Sequence, residues 1–294
     1  MTHRKSKVCS LAQALAGIAD GAKIIAAGAH YNNIPMALVR ELIRQRVKGI
    51  EIIPTPSAGL WVDMLIGAGA VSKVHVSYIG MEFLGLAPNF RRAAESKAIV
   101  IEEKDEPTIF HGLRAAGSGL PFVALPPLQK MTDLPKVNPQ TYREIIDPFT
   151  GELAIAIAPL APDIAFIHFA KCDPYGNGVS IGGRHMEDII AKASKRVIVS
   201  AEEIVSTEEI TAAPTRTTLP GVMVDAVVHA PWGCYPGTCP GVYGYDRAHL
   251  EHYYEFARKG QTQAYLDRYV FGSDGDAALI NSVSKEHLAG LRLG

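Results

Sequence analysis

Short apolar runs alternate with helical segments along most of this chain, and this alternation constrains its fold more than any other feature. The runs AKIIAAGAH, GIEIIPT, AIVIEEKD and VMVDAVVHAP each have the length of a strand. Between the first two lies PMALVRELIRQRV, which begins with a proline and places apolar residues at helical spacing. Strands separated by helices are typical of a parallel sheet covered on both faces. The sequence therefore predicts an α/β fold with an open, mostly parallel sheet flanked by helices.

The length of 294 residues suits one large α/β domain. We therefore predict a single domain over residues 1–294. Residues 126–151 are rich in proline and polar residues, which predicts a long loop that is either a lid with a binding role or a peripheral excursion. The chain from about residue 246 onward has helical patterning and predicts a helical C-terminal tail.

The charge pattern argues against two classes of partner. The formal net charge is −1 and no long run of one sign occurs, which disfavours nucleic acid and anionic membranes as partners. An apolar stretch of about 18 residues without charge is missing, so we expect no membrane span. The basic N-terminus MTHRKSKVCS does not have the pattern of a signal peptide, so we expect a cytoplasmic protein.

The cysteines do not form a familiar metal-binding pattern. They are Cys9, Cys172, Cys234 and Cys239; none forms a CxxC pair, and the nearby His229 is not at a zinc-like spacing. We therefore predict reduced thiols and no metal site.

In parallel sheets ligands bind where strands end in loops, so the loops after the apolar runs are the candidate sites. The loop Gly28–Pro35 follows the first run and opens a helix. Its glycine permits close approach of a ligand, and helix N-terminal amides favour a phosphate, a carboxylate or a thioester oxygen. A plain tight turn is the alternative.

Two further segments carry carboxylates at strand ends. Ser77–Glu82 contains Gly80 and ends in a carboxylate that faces the substrate or caps a helix. An acidic cluster follows the run AIVIEEKD and contains Glu102, Glu103, Asp105 and Glu106. One of these could act as a general base or nucleophile, but acidic residues also commonly stabilise a helix N-terminus.

The order of several segments resembles one family over almost the whole chain. These segments include DGAKIIAAG, SYIGMEFLGLAPNFRRAAE, KRVIVSAEEIVSTEEI and VDAVVHAPWGCYPGTC. Together they resemble the α subunits of family I coenzyme A (CoA) transferases of the glutaconate CoA-transferase type. The resemblance implies the open α/β fold of that family and a homologous β subunit, in a heterotetramer or larger assembly with active sites between α and β.

The resemblance also implies a reaction and separate roles for the α and β subunits. An acyl-CoA and a carboxylic acid are the substrates, with no permanently bound cofactor, and CoA moves between acids by a ping-pong mechanism. The glutamate that attacks the thioester belongs to the β subunit, while the α chain supplies substrate and CoA contacts. The contact residues implied here are Gly28, His30, Tyr31, Asn32, Asn33, Tyr78, Gly80 and Glu82.

Two departures from the family pattern leave alternatives open. The family's Gly-Gly-Phe-containing loop reads Gly28-Ala29-His30 here, which predicts a different acyl group from glutaconate. Glu106 matches an essential glutamate of a branch that opens a steroid-derived ring by hydrolysis. The alternative functions are therefore such a hydrolase, a decarboxylase, or a noncatalytic subunit that binds acyl-CoA.

Overall fold

A computed structural model describes residues 4–55, 57–272 and 277–293. The strands are β1 (Lys23–Ala26), β2 (Ile50–Ile52), β3 (Val71–Val76), β4 (Val100–Glu103), β5 (Val123–Leu125), β6 (Tyr142–Ile146), β7 (Leu153–Ile157), β8 (Ile164–Cys172), β9 (Gly178–Val179), β10 (Arg196–Ile204) and β11 (Ala226–His229). The α-helices are α1 (Leu11–Leu15), α2 (Met36–Arg44), α3 (Leu60–Gly67), α4 (Pro88–Glu95), α5 (Glu106–Gly117), α6 (Leu134–Val137), α7 (Glu187–Ala193), α8 (Thr207–Thr211), α9 (Arg247–Arg258), α10 (Thr262–Tyr269), α11 (Ala277–Asn281) and α12 (Lys285–Leu291).

An eight-stranded sheet forms the centre of the fold. Its strand order is β11-β10-β8-β1-β2-β3-β4, with the short β9 added antiparallel to β8. All other pairs in this sheet are parallel. The predicted open, mostly parallel sheet flanked by helices is therefore confirmed.

The inner strands are mostly apolar because both of their faces are covered. Ile24 and Phe166 lie in one apolar core cluster, whereas their sequence neighbours Ile25 and Ile167 lie in a second cluster on the opposite face. Successive side chains of a strand point to opposite faces, so helices on both sides require a continuous apolar run. This burial is what the sequence pattern of β1 predicted.

The proline-rich segment 126–151 is more ordered than the predicted loop. It contains α6 and β6, and β6 pairs with β7 in a small antiparallel sheet of order β5-β7-β6. Tyr142, Ile155 and Ile157 form a separate apolar cluster on this sheet. The description as a long loop was incomplete, because the antiparallel pairing joins residues that are not neighbours in the sequence.

Short helices lie near both ends of the described chain. Ser10 caps α1, and the helix ends at Leu15 because Ala16 leaves the helical conformation at ψ 136°. From residue 247 onward the described part of the chain contains the helices α9 to α12. Every helix among the described residues is too short or too polar to cross a bilayer.

Candidate active site

The parallel strands end at one edge of the sheet, and the candidate site is built there. The loop after β1 begins with Gly28, whose φ of 98° lies in the left-handed region. A Cβ at Gly28 would lie 2.5 Å from the carbonyl oxygen of Asn32, so a side chain cannot be accommodated. The amide of Ala29 donates to the carbonyl of Asn32 at 3.1 Å, and the amide of Asn32 donates back at 2.8 Å. The loop is therefore a tight, closed turn, with His30 at its tip.

The loop after β3 meets this turn. The carboxylate of Glu82 contacts Nδ1 of His30, and each side chain is little more than one-third exposed. The ring of Tyr78 packs edge-on against His30, with 6.3 Å between ring centroids. Both His30 and Glu82 have positive φ angles, 54° and 51°, an uncommon conformation that these contacts hold in place. The structure thus brings together three residues from the two predicted segments.

Gly80 allows the second loop to fold tightly. A Cβ at this position would overlap the side chain of Tyr78, so a larger residue would displace the Tyr78 ring. The amide of Gly80 donates to the carbonyl of Ala58 at 3.0 Å. Gly80 therefore shapes the surface that Tyr78 presents and does not itself offer a functional group.

Tyr31 and Asn33 point inward, unlike His30. Tyr31 is buried, and its hydroxyl donates to the carbonyl of Met81 at 2.6 Å, which ties the two loops together. Burial raises the pKa of this phenol well above its usual value, so it stays protonated. Asn33 is 2% exposed, and neither polar atom of its side chain has a hydrogen-bond partner among the described residues. Asn32 is half-buried and contributes the backbone bonds of the turn.

The acidic cluster after β4 is not one enclosed group of carboxylates. Asp105 caps α5 by accepting a hydrogen bond from the amide of Thr108 at 3.1 Å, and Glu106 is the exposed first residue of that helix. Glu102 alone is buried, where it pairs with Lys104 and Lys73. Burial alone would raise the pKa of Glu102, but the bonds from these lysines outweigh it and hold the pKa well below its usual value.

A buried network beneath the first loop escaped the sequence reasoning. Glu202 near the end of β10 accepts hydrogen bonds from Nε2 of His168 at 2.9 Å and from the Tyr243 hydroxyl at 2.6 Å. It also accepts from the amides of Trp232 at 2.6 Å and Gly233 at 2.9 Å. The signal in the sequence was a histidine inside the otherwise apolar strand IAFIHFA, since a buried polar side chain needs partners.

This network supports the turn at Gly28–Asn33 through the segment Trp232–Thr238. The amide of Thr238 donates to the carbonyl of Tyr31 at 2.7 Å, and the amide of Asn33 donates to the carbonyl of Thr238 at 2.9 Å. Burial alone would raise the pKa of Glu202, but the hydrogen bonds, first of all from His168, lower it. The ionised Glu202 therefore fixes the backbone on which the candidate site rests.

The arrangement is suited to binding and orienting a carbonyl or carboxylate group. His30 is partly exposed at the tip of the turn, and the carboxylate of Glu82 contacts one of its ring nitrogens. A ring held in this way can donate a hydrogen bond to a substrate oxygen in a defined direction.

Comparisons with known proteins agree with this architecture. The sequence profile of the coenzyme A transferase family matches residues 8–230. The A-type subunit of glutaconate CoA-transferase from Acidaminococcus fermentans is 31% identical, over 98% of this chain and 95% of that protein. The crystal structure of glutaconate CoA-transferase from the same organism superposes with a TM-score of 0.92, covering 98% of this chain and 96% of that chain.

Two other relatives differ in length or in activity. A protein of Archaeoglobus fulgidus is 35% identical over 87% of this chain, which spans only 57% of that protein's length. The IpdA subunit of a cholesterol ring-cleaving hydrolase of Rhodococcus jostii is 30% identical, over 94% of this chain and 96% of that subunit. The extent of the matches to the family profile and to the glutaconate CoA-transferase chain shows that this chain belongs to the coenzyme A transferase family, among its α-type subunits.

Proposed function

We propose that this chain is the α subunit of a heteromeric acyl-CoA:carboxylate CoA-transferase, which moves CoA between carboxylic acids by a ping-pong mechanism. The observation that carries the proposal is the contact of His30 with both Glu82 and Tyr78, which joins the turn after β1 to the loop after β3. These are the two segments that the family resemblance assigned to substrate and CoA binding.

An exposed apolar rim beside these loops supports the need for a second subunit. The rim consists of Tyr78, Phe83, Leu86 and Tyr245, which are 41%, 44%, 60% and 44% exposed. The rings of Phe83 and Tyr245 lie 5.9 Å apart between centroids, and exposed aromatic side chains next to a site are typical of a protein interface. A homologous β subunit that covers this rim would enclose His30 and bring its own glutamate to the substrate.

The division of roles follows from the chemistry of acyl transfer. The thioester carbonyl is attacked by a glutamate carboxylate of the β subunit, so that a C–O bond forms and CoA leaves as the thiolate. The thiolate then attacks the glutamyl carbonyl, which releases the first acid and leaves CoA on the enzyme as a thioester. The acceptor acid then enters, and the same two steps run in reverse to form the new acyl-CoA. In this chain the turn at Gly28 binds the thioester region, and His30 donates a hydrogen bond to the acyl oxygen.

A turnover assay tests the proposal. The chain is co-expressed with a homologous β subunit, and a panel of dicarboxylic and branched acyl-CoAs is offered with and without an acceptor acid. We expect a new acyl-CoA to form only when the acceptor is present, with total CoA conserved. Water addition or loss of CO2 without an acceptor would contradict the proposal, and acyl-CoA binding without turnover would indicate a noncatalytic subunit.

A ring-opening hydrolase is the second candidate, and it rests on Glu106. This carboxylate is exposed at the start of α5, at the same edge of the sheet as the two loops, and a hydrolase subunit is among the relatives. Replacement Glu106→Gln keeps the shape of the side chain and removes its charge. Loss of water-dependent turnover of the acyl-CoA in this variant, with normal assembly, favours the hydrolase. Full transferase turnover in the variant excludes a chemical role for Glu106.

A further inference from the structure

Four side chains with metal-binding atoms converge in the core beneath the candidate site. They are His168 from β8, Glu202 from β10, and Cys234 and Cys239 from the segment after β11. One donor atom of each lies within 4.8 Å of the donor atoms of the other three. Glu202 is 7% exposed, and the other three side chains are fully buried.

The strand pairing explains why these residues meet. In the register of β8 and β10, His168 lies opposite Ser200, so Glu202 two residues further on faces the same side of the sheet. The amides of Trp232 and Gly233 bind Glu202 and thereby draw Cys234 toward His168. The sequence could not reveal this set, because two of its donors lie on separate strands far from the cysteines.

We propose that His168, Glu202, Cys234 and Cys239 form a structural site for Zn²⁺ or a similar thiophilic divalent cation. Two thiolates, one imidazole and one carboxylate are the donor types that bind zinc, and four protein donors are typical of structural rather than catalytic zinc sites. A spread of donor atoms within 4.8 Å accommodates tetrahedral coordination. This proposal departs from the sequence-based expectation of no metal.

The hydrogen bonds around the cluster fit this role. Nδ1 of His168 lies 2.8 Å from the hydroxyl of Ser200, which orients the ring and leaves Nε2 facing the other donors. Metal-binding histidines are commonly held by such a second contact. On binding, the cation replaces the proton on Nε2 of His168 and any thiol protons. Glu202 retains its bonds from Trp232, Gly233 and Tyr243, so the carboxylate stays oriented.

The site has a structural consequence for substrate binding. Both cysteines flank the segment that contains Thr238, and this residue exchanges backbone hydrogen bonds with Tyr31 and Asn33. A cation bound here would stabilise the segment between Cys234 and Cys239, and this segment supports the turn at Gly28–Asn33. It would lie below the substrate surface and take no part in the acyl transfer.

The metal content of the reduced full-length chain, purified with its β subunit, tests the proposal. The protein is loaded with Zn²⁺, freed of excess and assayed by elemental mass spectrometry, and Co²⁺ is used in parallel for its thiolate charge-transfer absorption. We expect one cation bound per copy of this chain, with that absorption present. Variants C234S and C239S should each lose most of the bound metal, whereas C9S, which removes a thiol outside the cluster, should keep it.

A measurement on the wild-type protein keeps the test valid if the cysteine variants fail to fold. Melting temperature is compared after Zn²⁺ loading and after treatment with a chelator, and we expect the loaded protein to melt at a higher temperature. Substoichiometric Zn²⁺ after loading, or metal retained at wild-type level in folded C234S and C239S, would overturn the proposal. In either case the four residues would be only a hydrogen-bonded core cluster.

Discussion

The carboxylate of Glu82, in the loop after β3, contacts Nδ1 of His30, in the loop after β1. This contact fixes the direction of the imidazole at the tip of a turn, and it puts a carboxylate next to the proposed acyl group. In the proposed function, the pair determines both where a hydrogen bond is donated and what charge the acyl group meets.

We predict that Glu82→Gln lowers kcat/KM of the assembled enzyme by about tenfold, because a misdirected imidazole loses a hydrogen bond to the transition state. The melting temperature should stay within about 2 °C of wild type, since both side chains are partly exposed. Steady-state kinetics with the best acyl-CoA checks this. Glu95→Gln, at an exposed carboxylate on α4, is the control, and an equal loss in both variants would rule out a specific role for the pair.

We predict that Gly28→Ala destabilises the chain by about 1–3 kcal/mol and abolishes most activity, because the turn cannot close around a Cβ. The new methyl group would lie 2.5 Å from the Asn32 carbonyl, in addition to the strain of a φ of 98°. Urea unfolding and turnover are the measurements. Gly119→Ala is a matched control, since Gly119 also has a positive φ of 65° but no atom within 4 Å of the place that a methyl group would take. An equal cost at both positions would show that backbone strain alone is responsible.

Glu202→Gln tests the buried network that supports the turn. Trp232 and Gly233 donate to different oxygens of Glu202, and glutamine keeps only one of the two acceptors, so we expect a loss of about 2–4 kcal/mol in unfolding free energy. The neighbouring Glu203→Gln alters a carboxylate that is 62% exposed and should leave stability unchanged. Similar unfolding curves for the two variants would contradict the supporting role of Glu202.

The sequence predicted what depends on local pattern. Apolar runs separated by helices were sufficient for the parallel sheet, and Gly28 after the first run was sufficient to locate the turn. The pairing of β6 with β7 and the meeting of His168 with Glu202 were missed, because they depend on which segments become neighbours in space. Glu82 was predicted as either a substrate-facing carboxylate or a cap, and its contact with His30 required the packing of two separate loops.

Acid should destabilise this chain through His249 on α9. Desolvation is the main cause that lowers the pKa of His249 to about 4 from its usual value of 6.5, with His252, Arg40 and Arg268 adding to it and Asp246 opposing it. Between these values the unfolded chain binds a proton that the folded chain does not, so the unfolding free energy falls as pH decreases from about 6.5 to about 4. This shift in the pKa of His249 corresponds to a change of at most about 3 kcal/mol in unfolding free energy.

Urea unfolding of wild type and His249→Gln at pH 7 and pH 5 measures this contribution. We expect the wild type to lose more stability than the variant between the two pH values, because glutamine keeps a polar group near the Tyr265 hydroxyl but does not titrate. His229→Gln, at an exposed histidine, serves as the control and should follow the wild type. Parallel losses in the wild type and His249→Gln would assign the acid sensitivity to other groups, such as the buried His75 on β3, whose pKa is also lowered by desolvation.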